Sequence, residues 1–416
     1  MHSMSSITRL SLSKISFITS ITFISSLLAL SAFANPVIPV PTQVLQPTFT
    51  PTAPNLDANA YILIDAASGK IIAEKNADGR VPPASLTKLM TMYIVSSALK
   101  TGQLHLNDKI RVSTKAWKTE GSRMFVKAGD DVQVRELAQG VVVASGNDAA
   151  VALAEYIAGS EDSFAAIMNQ QASLLGMKNS HFIDSTGLPN PGHYSTARDL
   201  ATLTRAYIIN FPEDYNYYSE KWFSYNGIRQ PNRNRLLWRY PYADGLKTGH
   251  TNEAGYCLVA SAKKDGMRLI SVVLGEPTDQ DRTEDSIRLL TYGFRFFETH
   301  KLYDAAAPLV QARIWEGSKS EIPLGITQDL YVTVPTGQYK RIQVNMVVNN
   351  PLKAPVVKGQ VYGMLNVVLN NQVISSQPLI ALETSDRGNF WDRATDTVRY
   401  NLHKYFSKSD EKVNTG

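Results

Sequence analysis

Ser85 and Lys88 stand three residues apart and have the side-chain types that nucleophilic catalysis requires. In a helix this spacing places both side chains on one face, with about 5–6 Å between their Cβ atoms. A serine hydroxyl is a weak nucleophile until a base removes its proton, and lysine is such a base only when it is neutral. Burial and nearby positive charge both lower a lysine pKa. The pair therefore predicts a lysine-activated serine, provided that other segments complete the site.

The residues around Ser85 predict a buried helix. Pro82 and Pro83 suit the turn that opens a helix. The apolar residues that follow cover more than one face, as in a helix inside a core: Leu86, Leu89, Met90, Tyr93, Ile94, Val95, Ala98 and Leu99. Because Ser-x-x-Lys alone is a common pattern, an ordinary polar pair on a helix surface is expected unless partners occur elsewhere.

The first such partner is the Ser-Gly-Asn segment at 145–147. It interrupts two predicted helices, at 137–144 and 149–158, so we expect it in a loop between them. Asn147 or Asp148 is predicted to cap the second helix.

The second partner is the Lys-Thr-Gly-His segment at 247–250. It lies just before a predicted strand at 256–262, which forms a hairpin with a strand at 267–274 through an Asp-Gly turn. A helix at 282–300 is predicted to close this part of the chain.

Ser-x-x-Lys, Ser-x-Asn and Lys-Thr-Gly, in this order, are similar to the three motifs of the penicillin-recognising serine enzymes. Further stretches at 187–188, 193–199 and 291–299 resemble the low-molecular-mass penicillin-binding proteins that are D-alanyl-D-alanine carboxypeptidases. The resemblance implies an α/β catalytic domain of the β-lactamase/transpeptidase-like fold, in which an antiparallel sheet carries a helical subdomain. It also implies a small all-β C-terminal domain and a terminal amphipathic helix.

The resemblance implies a catalytic role for three residues. Ser85 would attack the carbonyl between two D-alanines, Lys88 would accept its proton, and Ser145 would relay the proton to the leaving amine. Asn147 would hydrogen-bond the amide carbonyl of the substrate and Lys88. No metal or other cofactor is expected.

The resemblance also implies a set of substrate-binding residues. Lys247 and Thr248 would face the terminal carboxylate of the substrate, where a cation and a hydroxyl are both wanted. Arg282 would assist there, and Gly249 lies in the same segment. The backbone N–H groups of Ser85 and His250 would form the oxyanion hole. The sequence leaves open which of the two lysines is neutral.

The two ends of the chain predict an exported protein. Residues 1–34 have the pattern of a signal peptide, with cleavage after Ala34, although an uncleaved anchor is the alternative. Residues 387–416 predict an amphipathic tail whose apolar stripe is Trp391, Ala394, Val398, Leu402 and Tyr405. The tail would bind a membrane surface or dock on its own domain. We therefore expect a periplasmic protein that is peripherally attached to the outer face of the cytoplasmic membrane.

Between these ends we expect a Pro-rich spacer at 35–57, the catalytic domain at 58–300 and the all-β domain at 301–386. The net charge of the 416-residue chain is +5, which is too mild to indicate nucleic-acid binding. The single cysteine, Cys257, excludes an intrachain disulfide and a Cys/His zinc cluster, and its apolar neighbours predict a buried, inert thiol. The resemblance implies peptidoglycan stem pentapeptides as partners and β-lactam antibiotics as inhibitors.

Four other functions compete with the carboxypeptidase interpretation. A β-lactamase of class A needs a glutamate between the second and third motifs, and Glu213 and Asp214 lack the family's Glu-x-x-Leu-Asn setting. An endopeptidase that cuts peptide crosslinks would use the same motifs. A non-catalytic cell-wall scaffold is disfavoured because no motif residue is missing. A histidine-based serine hydrolase is also disfavoured, since His181, His193 and His250 lie in no Gly-x-Ser-x-Gly context.

Overall fold

The structure, a computed structural model, describes residues 50–349, 351–391 and 393–399. Its strands are β1 (Ala60–Asp65), β2 (Ile71–Lys75), β3 (Lys109–Arg111), β4 (Asp131–Gln133), β5 (Trp222–Tyr225), β6 (Ile228–Pro231), β7 (Ala243–Thr251), β8 (Gly255–Lys264), β9 (Met267–Glu276), β10 (Phe297–Tyr303), β11 (Val310–Arg313), β12 (Glu321–Gly325), β13 (Leu330–Pro335), β14 (Gln343–Val348), β15 (Val361–Leu369) and β16 (Gln372–Ala381).

In the sequence, most helices come after the first two strands and before the hairpin strands β8 and β9. They are α1 (Lys88–Lys100), α2 (Thr114–Lys118), α3 (Val134–Val142), α4 (Asn147–Ala158), α5 (Glu161–Leu174), α6 (Ala197–Asn210), α7 (Pro212–Tyr215), α8 (Leu236–Arg239) and α9 (Asp279–Phe296). Short 3₁₀ helices occupy Ala84–Thr87, Asn216–Ser219 and Tyr339–Arg341.

A five-stranded antiparallel sheet, in the order β2-β1-β9-β8-β7, is buried on both faces. Side chains alternate between the faces of a strand. In β1, Ile62 and Ile64 therefore join the core shared with the helical subdomain, whereas Tyr61 and Leu63 join the core that includes α9. This antiparallel sheet with its helical subdomain confirms the predicted fold of the catalytic domain. The strand order places β7 at the sheet edge, beside the helical subdomain.

The C-terminal domain is all-β, as predicted. Its five-stranded sheet has the order β11-β12-β16-β15-β14, and β10 pairs with β13 in a separate two-stranded sheet. Hydroxyl and carboxylate hydrogen bonds join it to the catalytic domain: Thr299 Oγ1 donates to Asp65 Oδ2 at 2.8 Å, and Ser68 Oγ lies 2.6 Å from Thr333 Oγ1.

Three local predictions differ from the structure. The helix predicted at 282–300 ends at Phe296, because Phe297–Tyr303 pairs with β13 as a strand. The Lys-Thr-Gly segment precedes the strand predicted at 256–262, which is β8, but the segment itself lies inside a further strand, β7, that was not predicted. Asn147 and Asp148 do not cap α4, whose N-cap is Gly146 without a side-chain hydrogen bond.

The ends of the described chain contact the folded domains. Leu56, in the segment predicted as a spacer, is buried against the core that includes α9, because it is a large apolar side chain. Residues 393–399 are helical, and Asp396 pairs with Arg313 at 3.3 Å. The signal peptide, with Leu402 and Tyr405 of the tail, lies outside the described residues, so the membrane-associating tail stays a prediction. No helix of the described residues is long and apolar enough to cross a membrane.

Candidate active site

Ser85 and Lys88 meet at the junction between the 3₁₀ helix Ala84–Thr87 and α1. Lys88 is the first residue of α1, and its Nζ donates to Ser85 Oγ at 3.0 Å. At this distance one direct transfer would move the hydroxyl proton to a neutral lysine. The pair thus has the geometry of a nucleophile and its general base.

Lys88 is fully buried beneath the serine. Burial lowers its pKa from 10.5 to about 7, although the carboxylates of Asp184 and Asp148 act in the opposite direction. A large share of the Lys88 side chains is therefore neutral near pH 7, as a general base must be.

A backbone carbonyl holds the amine of Lys88 in place. Lys88 Nζ donates to Thr186 O at 2.7 Å. The turn that presents this carbonyl is fixed by Asp184, whose Oδ1 accepts hydrogen bonds from Thr186 N at 2.7 Å and Gly187 N at 2.6 Å. Asp184 thereby positions the base without touching the nucleophile.

His193 connects this turn to the 3₁₀ helix of the nucleophile. Its Nδ1 lies 3.5 Å from Asp184 Oδ2, and its Nε2 lies 2.9 Å from Thr87 Oγ1. The ring is buried. His193 is therefore a structural hydrogen-bonding residue. It contacts Thr87, in the 3₁₀ helix that carries Ser85, and makes no direct contact with Ser85.

Ser145 and Lys247 form a second hydroxyl–amine pair. Lys247 Nζ donates to Ser145 Oγ at 2.9 Å, and both side chains are buried. Burial is the main cause that lowers the pKa of Lys247 well below its usual value, and the neighbouring charges of Lys88 and Arg282 lower it further. Ser145 has a φ of 59°, a strained conformation for a residue with a side chain and one that is concentrated at functional sites.

Asn147 does not make the hydrogen bond to Lys88 that the resemblance implied. Its Nδ2 donates to Glu120 O at 2.6 Å, and its buried Oδ1 has no hydrogen-bond partner within the described chain. Its amide is directed towards the loop at 119–123, because Gly121, with a φ of +88°, leaves room for Nδ2. The partners of the Lys88 amine are instead Ser85 Oγ and Thr186 O.

Asp148, the next residue, organises the loop that carries Ser122 into the cleft. Its buried carboxylate accepts hydrogen bonds from Met124 N at 3.0 Å, Phe125 N at 2.9 Å and Val126 N at 3.3 Å. Without the Asp148 carboxylate, these three backbone N–H groups would lack a charged acceptor.

We expect Asp148→Ala to lower the free energy of unfolding by about 3 kcal/mol, because buried N–H groups that lose a charged acceptor bear their desolvation cost. Urea unfolding measures the change. Asp131→Ala is the matched control, since the Asp131 side chain is half exposed and pairs with exposed Arg111; it should change the value by less than about 0.5 kcal/mol. Equal effects of the two substitutions would contradict the assigned role.

Strand β7 forms the opposite wall of the site. A Cβ on Gly249 would lie 2.9 Å from Pro83 O, so glycine allows the strand to approach the segment before Ser85. Arg282, on α9, donates to Gly249 O at 3.0 Å and to Cys257 O at 3.2 Å, and also pairs with Asp279. Arg282 thus supports β7 through the carbonyl of Gly249 and also lines the cleft.

A single open cleft of about 510 Å³ is lined by all three segments. Of the predicted site residues, those that line it are Ser85, Ser145, Thr248, Gly249, His250 and Arg282. The ring centres of His250 and Tyr256 lie 4.0 Å apart, with the ring planes tilted by 33°. Lys88 and Lys247 are buried and donate to Ser85 and Ser145, and Asn147 is also buried. Among the described residues, no group of three or more His, Cys, Asp or Glu is arranged to hold a metal ion.

Several residues that support the site could not be assigned that role from the sequence. They are Gly121, Asp148, Asp184, Thr186 and Gly187. Thr186 acts through its carbonyl, so its side-chain type gives no signal. Asp184 could have been suspected as an acid beside the Gly187 stretch.

Three comparisons with known proteins agree with this geometry. The profile of the D-alanyl-D-alanine carboxypeptidase family (peptidase S11) matches residues 47–278, and that of the penicillin-binding protein 5 C-terminal domain matches 297–387. The chain is 48% identical to the D-alanyl-D-alanine carboxypeptidase DacC of Escherichia coli, over 86% of this chain and 91% of the relative.

Solved structures show the same relationship. Penicillin-binding protein 5 of Haemophilus influenzae superposes with a TM-score of 0.78 at 42% identity, covering 81% of this chain and all of that one. The ampicillin-bound penicillin-binding protein D2 of Listeria monocytogenes has a TM-score of 0.54 at 33% identity and covers 58% of this chain and all of that one. The chain therefore belongs to the D-alanyl-D-alanine carboxypeptidase family of serine peptidases.

Proposed function

We propose that the protein removes the terminal D-alanine from peptidoglycan stem pentapeptides through an acyl-enzyme on Ser85. The observation that carries the proposal is the 3.0 Å contact between Ser85 Oγ and the buried Lys88 amine, at the base of a cleft lined by two further polar segments. Family membership supports the reaction class.

In the proposed reaction, Ser85 Oγ forms a bond to the carbonyl carbon between the two D-alanines as its proton passes to Lys88. The C–N bond then breaks, and the leaving amine takes up the proton that Lys88 accepted, relayed through Ser145, so that Lys88 is neutral again. Ser145 is held for this relay by a hydrogen bond from Lys247. Backbone N–H groups of Ser85 and His250 would stabilise the oxyanion. Water hydrolyses the remaining ester and restores the serine.

The substrate carboxylate is expected at the β7 side of the cleft. Thr248 provides a hydroxyl there, and Arg282 provides positive charge. A carboxylate bound there would favour the protonated form of the buried Lys247. We propose that Asn147 and Gly249 complete this binding surface through the substrate amide. A β-lactam would enter the same cleft and acylate Ser85, consistent with the ampicillin-bound relative.

Release of D-alanine from a synthetic pentapeptide tests the proposal. The wild-type chain should release it, and Ser85→Ala should abolish release. Ser97→Ala, which changes a serine farther along α1, is the matched control and should retain activity. Unchanged release by a folded Ser85→Ala variant would overturn the proposed nucleophile. Failure to release D-alanine from a monomer while crosslinked dimers are cut would favour the endopeptidase.

The rate of Ser85 acylation should rise with pH and level off above about pH 8. Lys88 is the base only when neutral, and burial lowers its pKa to about 7. The neutral fraction therefore increases as the pH rises through 7, and at pH 6 the rate should be about tenfold below its plateau. Stopped-flow acylation by a chromogenic β-lactam from pH 5 to 9 measures this profile. A rate that is flat or falls across this range would contradict Lys88 as the base.

The positions of the acids weigh against a class A β-lactamase. Glu213 and Asp214 lie on α7 and line a different cavity, which also contains Lys100 and Phe211. Neither is placed to activate a water on an acyl-Ser85. We expect β-lactam adducts to be long-lived.

We also propose that the protein acts in the periplasm, attached to the outer face of the cytoplasmic membrane. The signal-peptide pattern at 1–34 and the amphipathic pattern at 387–416 support this placement. We also propose the domain division at 58–300 and 301–386, which rests on the change, from about residue 305, to short alternating stretches separated by Gly, Pro and Asn turns. Membrane fractionation with and without the tail tests the attachment.

A further inference from the structure

A hairpin beside the cleft carries an exposed tryptophan. Trp222 on β5 pairs directly with Pro231 on β6, and Pro231 lines the cleft. Directly opposed residues in an antiparallel pair project on the same face. Arg229, two residues from Pro231, shares that face, and its guanidinium lies 4.2 Å from the centre of the Trp222 ring. The Trp222 side chain is thus continuous with the cleft wall.

A second tryptophan extends this surface. Trp238 on α8 meets Trp222 edge to face, with ring centres 6.2 Å apart and planes at 81°. Lys221 lies 5.9 Å from the Trp238 ring. The two indoles are 46% and 43% exposed, so each leaves a large part of its surface to solvent. We call Trp222, Trp238, Arg229 and Lys221 the tryptophan platform.

The connection between platform and cleft is held by buried side chains. Asn232 Nδ2 donates to Glu220 O at 2.9 Å, and Asn232 Oδ1 accepts from Asn234 N at 2.9 Å. Asn234 Oδ1 in turn accepts from Leu236 N at 3.1 Å, at the start of α8. These bonds fix the segment between the two tryptophans, so the platform keeps one position relative to the cleft.

We propose that the tryptophan platform binds sugar rings of the glycan strand that carries the stem peptide. This inference rests on the proposed function, because it places the peptide in the adjacent cleft. The negative face of an indole attracts the partly positive C–H groups of a pyranose ring, and Arg229 and Lys221 can donate hydrogen bonds to its oxygens. A five-residue peptide spans at most about 17 Å when extended, which keeps its glycan close to the cleft.

A membrane surface is the other chemistry that exposed tryptophans and cations could meet. Continuity with Pro231 and the cleft favours the glycan, since a ligand bound there is tethered to the substrate. The experiment therefore needs separate measurements for glycan and lipid.

The test compares kcat/KM for a disaccharide pentapeptide and for the same pentapeptide without sugar. In Trp222→Ala/Trp238→Ala, the ratio of the glycan-bearing to the sugar-free value should fall about tenfold. The double Phe variant, which keeps aromatic faces, should recover most of the ratio. Trp391→Ala is the matched control, because Trp391 is exposed on the C-terminal segment, and it should leave the ratio unchanged.

Binding is measured independently by co-sedimentation with glycan strands stripped of peptides, and with anionic phospholipid vesicles. Weaker glycan sedimentation of the Ala variant, with unchanged vesicle binding, supports the proposal. An unchanged kcat/KM ratio, or a loss confined to vesicle binding, overturns it. Absence of sugar-free turnover in the wild-type chain would instead refute the proposed function.

Discussion

Replacing Lys88 by methionine should slow the acylation of Ser85 by about 10²–10⁴-fold, the usual contribution of a general base. Methionine fills similar space but cannot accept the proton that Lys88 takes across the 3.0 Å contact with Ser85 Oγ. The hydroxyl remains, so the residual rate reports a serine without its base. Stopped-flow acylation by a chromogenic β-lactam measures the loss.

Lys100→Met is the matched control for this experiment. Lys100 ends the same helix α1, is exposed and donates to Asn210 O at 3.1 Å. Its substitution should leave the acylation rate within about twofold of wild type, since exposed changes of this kind have small effects. A folded Lys88→Met variant that acylates at the wild-type rate would show that another group removes the proton.

Replacing Gly187 by alanine should lower the free energy of unfolding by about 3 kcal/mol or more, and should also slow acylation. A Cβ at this position would lie 1.8 Å from Ala84 O, and the φ of +84° is itself unfavourable for alanine. Relief of the clash must displace the segment before Ser85 or the turn that presents Thr186 O to Lys88. Urea unfolding and the acylation rate together measure the effect.

Gly176→Ala separates backbone strain from the clash. Gly176 has a similar φ of +77°, but a Cβ there would meet nothing within 4 Å. It should therefore cost only the left-handed conformation, about 1–2 kcal/mol, and leave acylation unchanged. Equal losses of stability in the two glycine variants, with equal acylation rates, would show that the close approach of Gly187 to Ala84 O does not matter for function.

The parts of the site that could be predicted from the sequence are those that depend on side-chain type and local spacing. Ser85 and Lys88 are one helical turn apart, so local geometry alone brings them together. The Asp-Gly turn at 265–266 likewise predicts the hairpin of β8 and β9, and the structure confirms it.

The parts that could not be predicted depend on contacts between distant backbone groups. The acceptor for Lys88 is the carbonyl of Thr186, 98 positions along the chain, and any residue type could provide it. The amide of Asn147 is taken by Glu120 O, another backbone partner. Phe297–Tyr303 follows a helix without a Gly or Pro break, so its pairing with β13 overrides the local helical pattern.

The most direct test of the account is intact-mass analysis after incubation with benzylpenicillin, followed by peptide mapping. We expect a mass increase of one benzylpenicillin per chain, carried by the peptide that contains Ser85 and absent in Ser85→Ala. A stable adduct on a different residue, or no adduct on a folded wild-type chain, would contradict the claim that Ser85 and Lys88 form the acylation centre.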